Sequence, residues 1–197
     1  MRFRRSVIAS GALAAAALFV VVELGAAQAP KPAPAPKPAP AAARGAAATP
    51  ASRAHGSLNQ VMRGILFPNS NVIFAAQSTD PATVKLDEEP STATDPLKST
   101  YGNWQAVENA GIALSEAANL LIVPGRMCSN GKPVPMSDPE WAPFVQALRD
   151  AGMATYKAAQ AKNQDQILEA TDLVSTACSN CHDAFREKPS LANRCVR

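Results

Sequence analysis

Apolar residues recur three and four positions apart in four stretches of the chain, all of them after residue 55. This spacing places them on one face of an α-helix, so each stretch predicts an amphipathic helix with one buried face. The first three predicted helices cover about residues 57–77, 103–123 and 138–162. The fourth begins at Asn163 and is terminated by Pro189. The buried face of this last helix carries Ile167, Thr171, Val174, Cys178, Cys181 and Phe185.

Residues with special backbone properties indicate where these helices begin, end or change direction. Asp138 is expected to cap the third helix, and Asn163 with Gln166 forms a capping-box-like start for the fourth. Pro68 lies inside the first helix, where it lacks an N–H group and clashes with the preceding turn. The first helix is therefore expected to break or kink there, with a second piece capped by Asn69, Ser70 or Asn71.

The connections between the stretches favour an all-α fold. The third and fourth helices are joined too tightly to be anything but antiparallel neighbours. Residues 78–100 form a long polar connection, and no alternating strand pattern follows the first 29 residues. Gly111 and Ala118 in the second helix allow a close approach between helices. The pattern thus predicts an antiparallel, up-down-up-down four-helix bundle.

The first 54 residues have a different composition. Residues 1–29 combine three arginines with an apolar run and small residues, as in a secretory signal peptide cut after Ala27 or Ala29. An uncleaved leader acting as a membrane anchor is the alternative. Residues 30–54 are rich in Ala, Pro and Lys and predict an extended, disordered tether. The folded domain is assigned to residues 55–197.

Charge is divided unevenly between these regions. The whole chain has a net charge of +3, but residues 55–197 carry 12 Lys and Arg against 15 Asp and Glu. The basic character therefore belongs to the leader and the tether, and nothing in the folded domain favours nucleic-acid binding.

The strongest chemical signal is the segment Cys178-Ser179-Asn180-Cys181-His182. Two cysteines three positions apart on a helix lie on one face, so both sulfurs can reach the vinyl groups of one porphyrin. The histidine that follows can then bind the iron, as in c-type haem attachment sites. A strained disulfide, a thioredoxin-like redox pair, and a zinc site completed by His55 and Cys128 are the alternatives.

Together these features resemble the cytochrome c′ group, the class II c-type cytochromes. The resemblance covers about residues 55–190 and depends on the motif in the last helix, followed by Phe185 and Arg186. It implies one covalent haem c near the C-terminal end of that helix, with His182 as the proximal ligand. It also implies that Arg186 lies beside the haem, where it would neutralise a propionate. An ordinary charge in the last helical turn, favourable to the helix dipole, is the alternative.

Members of this group differ at the sixth iron ligand. Some have a methionine from the first helix there and carry electrons, and Met62 stands at the matching position. Leu58, Val61 and Ile65 would then wall the pocket, and Met127 is a rival ligand. Other members leave the iron five-coordinate and bind NO or CO, which is the alternative function.

The expected function is single-electron transfer by an exported, periplasmic protein with unidentified redox partners, and not an enzymatic reaction. An uncleaved leader would tether it to the inner membrane. The sequence leaves open whether the protein forms a homodimer. In an up-down-up-down bundle the second and fourth helices end at the same pole, so Cys128 and Cys195 are expected to form a disulfide. Two free thiols, or a bridge to another chain, are the alternatives.

Overall fold

The computed structural model describes residues 53–196. The described residues lie within one compact unit, Ala48–Arg197. The predicted leader (1–29), its cleavage or retention as an anchor, and nearly all of the predicted tether (30–54) therefore lie outside the described part of the chain.

The described residues form an all-α fold, as predicted. Between residues 53 and 196 there is no β-strand, and the only extended pairing is an isolated bridge between Met127 and Pro133. None of the helices in this range is long and apolar enough to cross a membrane. The helical segments are α1 (Leu58–Val61), a π-helical segment (Met62–Leu66), α2 (Phe67–Ser78), α3 (Asn103–Ala117), α4 (Trp141–Gln160) and α5 (Gln164–Phe185).

The first predicted helix passes Pro68 without a break, so the expected break is wrong. The π-helical segment Met62–Leu66 joins α1 directly to α2, and Pro68 is accommodated in the first turn of α2. The wider π turn accommodates the missing donor and the bulky ring of the proline. Asn69 and Ser70 do not cap a second piece, because their side chains donate to the carbonyls of Ile65 and Phe67.

The other helices follow the sequence prediction with small changes at their ends. The last turn of the second predicted helix tightens into a 3-10 helix, Ala118–Ile122. Asp138 accepts a hydrogen bond from the backbone N–H of Glu140, and α4 begins three residues after it, so Asp138 is not its N-cap. Asn163 does cap α5, by accepting from the N–H of Gln166 at 3.0 Å.

The long connection before α3 is built from three 3-10 turns that each begin at a proline, namely Pro81–Thr83, Pro90–Thr92 and Pro96–Lys98. Leu97 and Pro81 are buried. The side chain of Asn103 donates to the carbonyls of Pro81 and Val84, at 2.8 and 2.7 Å. This connection is therefore packed onto the start of α3.

The helices pack in a closed cycle of neighbours. α3 contacts α4, α4 contacts α5, and α2 contacts both α3 and α5. Gly111 in α3 and Gly152 in α4 lie where two backbones approach closely. A Cβ atom at Gly111 would lie 2.6 Å from the backbone nitrogen of Tyr156, and one at Gly152 would lie 2.6 Å from that of Ser115. The two helices can approach this closely only because both positions lack a side chain.

We expect Gly111→Ala to lower the free energy of unfolding by about 1–3 kcal/mol, because the clash involves backbone that cannot rotate away. Urea denaturation followed by circular dichroism measures the change. Gly64→Ala is the matched control, since a Cβ there meets nothing within 4 Å. The control should be neutral or stabilising by up to about 1 kcal/mol. Equal effects of the two substitutions would contradict the close approach.

Three chain segments meet at one end of the helices. The N–H of Leu58 donates to the carbonyl of Met127 at 2.8 Å. The buried Arg126 donates to the carbonyls of Gly56 and Leu120, at 2.6 and 2.7 Å. These bonds join the start of α1 to the loop before α4.

A disulfide at this same end ties the loop to the C-terminal tail. Cys128 and Cys195 are bonded, with their Cα atoms 6.5 Å apart. The predicted pairing is confirmed, and the alternatives of two free thiols or a bridge to another chain are wrong. The N–H of Cys195 also donates to the carbonyl of Phe185 at 2.8 Å, so the tail folds back onto the end of α5.

Candidate functional site

A cavity of about 1230 Å³ opens between the segment Met62–Leu66, the flanking helices α2 and α4, and the C-terminal half of α5. It exceeds the roughly 300–1,000 Å³ of most small-molecule pockets. Met62, Cys178, Cys181 and His182 all line it. The motif and Met62, both of which were singled out from the sequence, thus border the same cavity.

The two cysteines lie on α5 rather than in a loop, as predicted. Cys178 and Cys181 are half-buried free thiols, one helical turn apart, and both border the cavity. Toward the start of α5 the same face continues with the buried side chains of Thr171 and Val174. The helix therefore directs both sulfurs toward one side of the cavity.

His182 follows in the last turn of α5 and is half-buried. Burial lowers the pKa of its imidazole, and the positive charge of Arg186 lowers it further, against the opposing effects of Glu187 and Asp183. The neutral imidazole is the form that can bind a metal ion. The backbone carbonyl of His182 accepts from the N–H groups of Arg186 and Glu187, which holds the helix end together.

Met62 begins the π-helical segment, and its carbonyl accepts from the N–H of Phe67, five residues later. It is half-buried and is the only methionine among residues 53–196 that lines the cavity. Met127, the rival, is 41% exposed and does not border it. π segments inside helices occur frequently at functional sites.

The residues that accompany Met62 in the cavity wall differ from those expected. Leu58, Val61 and Ile65 were expected to wall the pocket, but they pack into the core instead. Residues of this helix that do line the cavity are Asn59, Met62, Arg63, Leu66, Phe67, Ser70 and Phe74. In helical projection Leu58, Val61 and Ile65 lie on one side of Met62, whereas Asn59, Arg63 and Leu66 lie on the other, so the expectation chose the wrong side of the methionine.

An aromatic cluster supports the cavity beneath the motif. The ring of Phe185 stacks edge-to-face on Trp141 and Phe144, with centroids 5.2 and 6.0 Å apart. The indole N–H of Trp141 donates to the carbonyl of Leu121 at 3.3 Å. Sequence reasoning did not single out Phe144 or Phe67, and an aromatic on a helix gives no signal that separates a cavity wall from ordinary core.

The rim of the cavity is charged. Arg186, predicted to lie beside the cofactor, borders the cavity but is exposed and forms an ion pair with Glu187. Arg194 from the C-terminal tail also borders it. Sequence reasoning missed Arg194 as well, because the tail carries no helical pattern that would place it.

Burial makes the two thiols poor nucleophiles at neutral pH. It raises the pKa of Cys178, against a lowering by Arg186, and together with Cys178 it raises the pKa of Cys181 to about 11. A raised pKa keeps the thiol protonated, so we expect iodoacetamide to alkylate Cys181 roughly 100-fold more slowly at pH 8 than an ordinary cysteine.

The alkylation rate of Cys181 should rise about tenfold per pH unit until the pH approaches the pKa of the thiol. Peptide mass mapping of protein in which Cys178 and Cys181 are free thiols, at several pH values, measures this. Unfolding in urea should restore ordinary reactivity. Fast alkylation of the folded protein near pH 8 would contradict the burial of Cys181.

Two of the alternatives for the motif find no support in the geometry. Cys128 is bonded to Cys195, so it cannot complete a zinc site with Cys178 and Cys181. In residues 53–196 no group of three or more His, Cys, Asp and Glu side chains is placed to hold a metal ion. The same range contains no strand that could form the βαβ surround of a thioredoxin-like pair.

No family model, curated protein or solved structure matches the chain. The case for a function therefore depends on the motif, on the helix that carries it, and on the cavity it borders.

Proposed function

We propose that the chain is an exported mono-haem c-type cytochrome that carries single electrons between partner proteins. One observation carries this proposal: the two thiols, the histidine and the methionine implied by the sequence all border a single cavity. The bound group is one haem c, whose iron would supply a one-electron Fe(III)/Fe(II) couple.

The architecture that we propose is an antiparallel four-helix bundle, with the segment from Leu58 to Ser78 as its first helix. The closed cycle of contacts among α2, α3, α4 and α5 supports it. The short turn between α4 and α5 supports it as well. So does the loop around Met127, which is bonded to the start of α1 and crosslinked to the tail that folds back onto the end of α5. In such a bundle a cofactor is held between side chains of facing helices.

Each motif residue has a separate task in this proposal. The thiols of Cys178 and Cys181 would hold the haem by adding across its two vinyl groups, each forming a carbon–sulfur bond while the thiol hydrogen passes to the neighbouring carbon. His182 would bind the iron through its neutral imidazole, the form favoured by its lowered pKa. Met62 would supply a second protein ligand to the iron from the first helix.

The apolar wall of the cavity supports the proposed cofactor. It includes Leu114, Leu121, Trp141 and Phe144. Apolar and aromatic side chains of this kind would pack against the faces of a porphyrin ring.

Export to the periplasm belongs to the same proposal. The Cys128–Cys195 disulfide supports it, because such bonds persist in oxidising compartments. Residues 1–29 would direct the export and residues 30–54 would separate the folded domain from the leader. An uncut leader would tether the domain to the inner membrane.

A pyridine haemochrome spectrum tests the proposal directly. The full chain is expressed in a bacterial host that matures c-type haem, and the purified protein should show the spectrum of a haem with both vinyl groups saturated. The intact mass should equal that of the polypeptide plus one haem, minus the two hydrogens that are lost when the disulfide forms. Protein that carries no haem in this host would overturn the proposal.

A further inference from the structure

The cavity contains a cationic group that the motif does not explain. The Nε atom of Arg194 is buried and has no hydrogen-bond partner. A buried donor without an acceptor costs free energy, and native proteins seldom leave one. Arg194 also lines the cavity that carries Cys178, Cys181 and His182. An N–H group without a hydrogen-bond acceptor, on the wall of a cavity that would hold a cofactor, indicates that the cofactor supplies the acceptor.

The second orphan atom among the described residues provides a contrast. Gln164 Oε1 is also buried without a partner, but it borders a different, smaller pocket at the start of α5. The amide nitrogen of Gln164 donates to the carbonyl of Ala76 at 2.8 Å, which fixes the direction of the group. Only the orphan at Arg194 therefore concerns the cavity of the haem motif.

Several contacts hold the backbone of Arg194 in place. The next residue, Cys195, is crosslinked to Cys128, and its N–H donates to the carbonyl of Phe185. The side chain of Asn130 donates to the carbonyl of Arg194 at 2.9 Å. Further bonds run from Asn130 to Leu191 and from Lys132 to Ala192, at 3.0 and 2.7 Å. The tail, which contains a short 3-10 turn at Leu191–Asn193, is thus fastened at the cavity.

Arg194 differs in this respect from Arg186, its neighbour at the rim. The guanidinium of Arg186 is paired with Glu187 and half of its side chain is exposed. No ion pair engages Arg194 within residues 53–196, and its Nε is shielded from water. A guanidinium group recognises carboxylates in a two-pronged geometry. Of the two arginines, Arg194 is the one prepared to accept a new carboxylate.

We propose that Arg194 binds a haem propionate, and that the Cys128–Cys195 disulfide positions it to do so. The inference rests on the proposed function, since haem c supplies the carboxylate. It assigns a purpose to the C-terminal tail and its crosslink, which the haem motif alone does not require. It also transfers the propionate contact from Arg186, where the resemblance had put it, to Arg194.

The reduction potential of the holoprotein reports this contact. A positive charge beside the haem favours the reduced iron, so Arg194→Gln should lower the potential. It should also raise the pKa of the propionate, and the pH-dependent step of the potential should move to higher pH. The other charged groups at the cavity, Arg63, Asp183, Arg186 and Glu187, stay unchanged in this variant. Arg194→Lys should restore most of the potential, and Arg186→Gln should change it less than Arg194→Gln.

A double-mutant cycle tests the role of the crosslink. Replacing Cys128 and Cys195 by Ser should shift the potential in the same direction as Arg194→Gln. In the Arg194→Gln background the same pair of substitutions should shift it no further, since the group that the crosslink positions is already gone. Additive shifts would mean that the crosslink does not act through Arg194.

The outcomes separate the two proposals. If the wild type carries no haem, the proposed function fails and this inference fails with it. If haem is bound but Arg194→Gln keeps the wild-type potential at every pH, only the inference is overturned. An equal or larger effect of Arg186→Gln would likewise return the propionate contact to Arg186.

Discussion

Replacing both Cys178 and Cys181 by Ala should abolish covalent haem attachment. Each thioether requires one of these sulfurs, and both lie on the cavity face of α5. Wild-type protein should keep its haem in acidic acetone, whereas the double variant should release all of it. Each single variant should hold haem through one bond, more weakly and with a shifted haemochrome band, because one vinyl group stays unsaturated.

The Cys128→Ser, Cys195→Ser double variant is the matched control for this experiment. It also removes two cysteines, but these form the disulfide outside the motif. It should lose up to about 4 kcal/mol of stability by the chain-entropy account while keeping its haem in acidic acetone. Release of haem from the wild type under the same conditions would show that the motif forms no thioethers.

Helices α3, α4 and α5 could be predicted from the sequence because each has one continuous apolar face. Buried side chains such as Val107, Leu148 and Val174 lie where helical spacing put them. The close approach at Gly111 followed from the same reasoning, since small residues on a buried face permit contact between backbones. The disulfide could be predicted because chain topology decides which loops share an end of the fold.

The π segment could not be predicted, because it depends on hydrogen bonds rather than on the pattern of side chains. Pro68 removes one donor from the helix, and the sequence alone does not say whether the helix breaks or widens. It widens, and the carbonyl of Met62 bonds to the N–H of Phe67. Leu66 and Phe67 border the cavity, whereas Leu58, Val61 and Ile65 pack against the core.

Arg194 was missed for a related reason. Its position depends on a crosslink and on hydrogen bonds from Asn130, both of which join segments more than 60 residues apart in the chain. No local pattern in the tail indicates such a position. Arg186 was favoured as the propionate partner because it follows His182 by four residues. In the folded protein, however, it pairs with Glu187.

Met62→Ala should convert the ferric holoprotein from low spin to high spin. The thioether sulfur of Met62 is the sixth iron ligand in our proposal. Its removal would leave His182 as the one protein side chain that binds the iron. The reduced variant should gain affinity for CO, and its potential should fall because thioether ligation favours the reduced iron. Electronic absorption and electron paramagnetic resonance spectra measure the spin state, and CO titration measures the open position.

Met127→Ala is the control for this substitution, because Met127 lies at the same end of the fold but outside the cavity. Its ferric spectrum should match the wild type, and a high-spin Met127→Ala protein would make Met127 the ligand. An unchanged spectrum in Met62→Ala would reduce Met62 to packing, a common role for methionine on an apolar helix face. A wild type that is already high spin would leave the iron five-coordinate, and binding of NO or CO would then replace electron transfer as the proposed function.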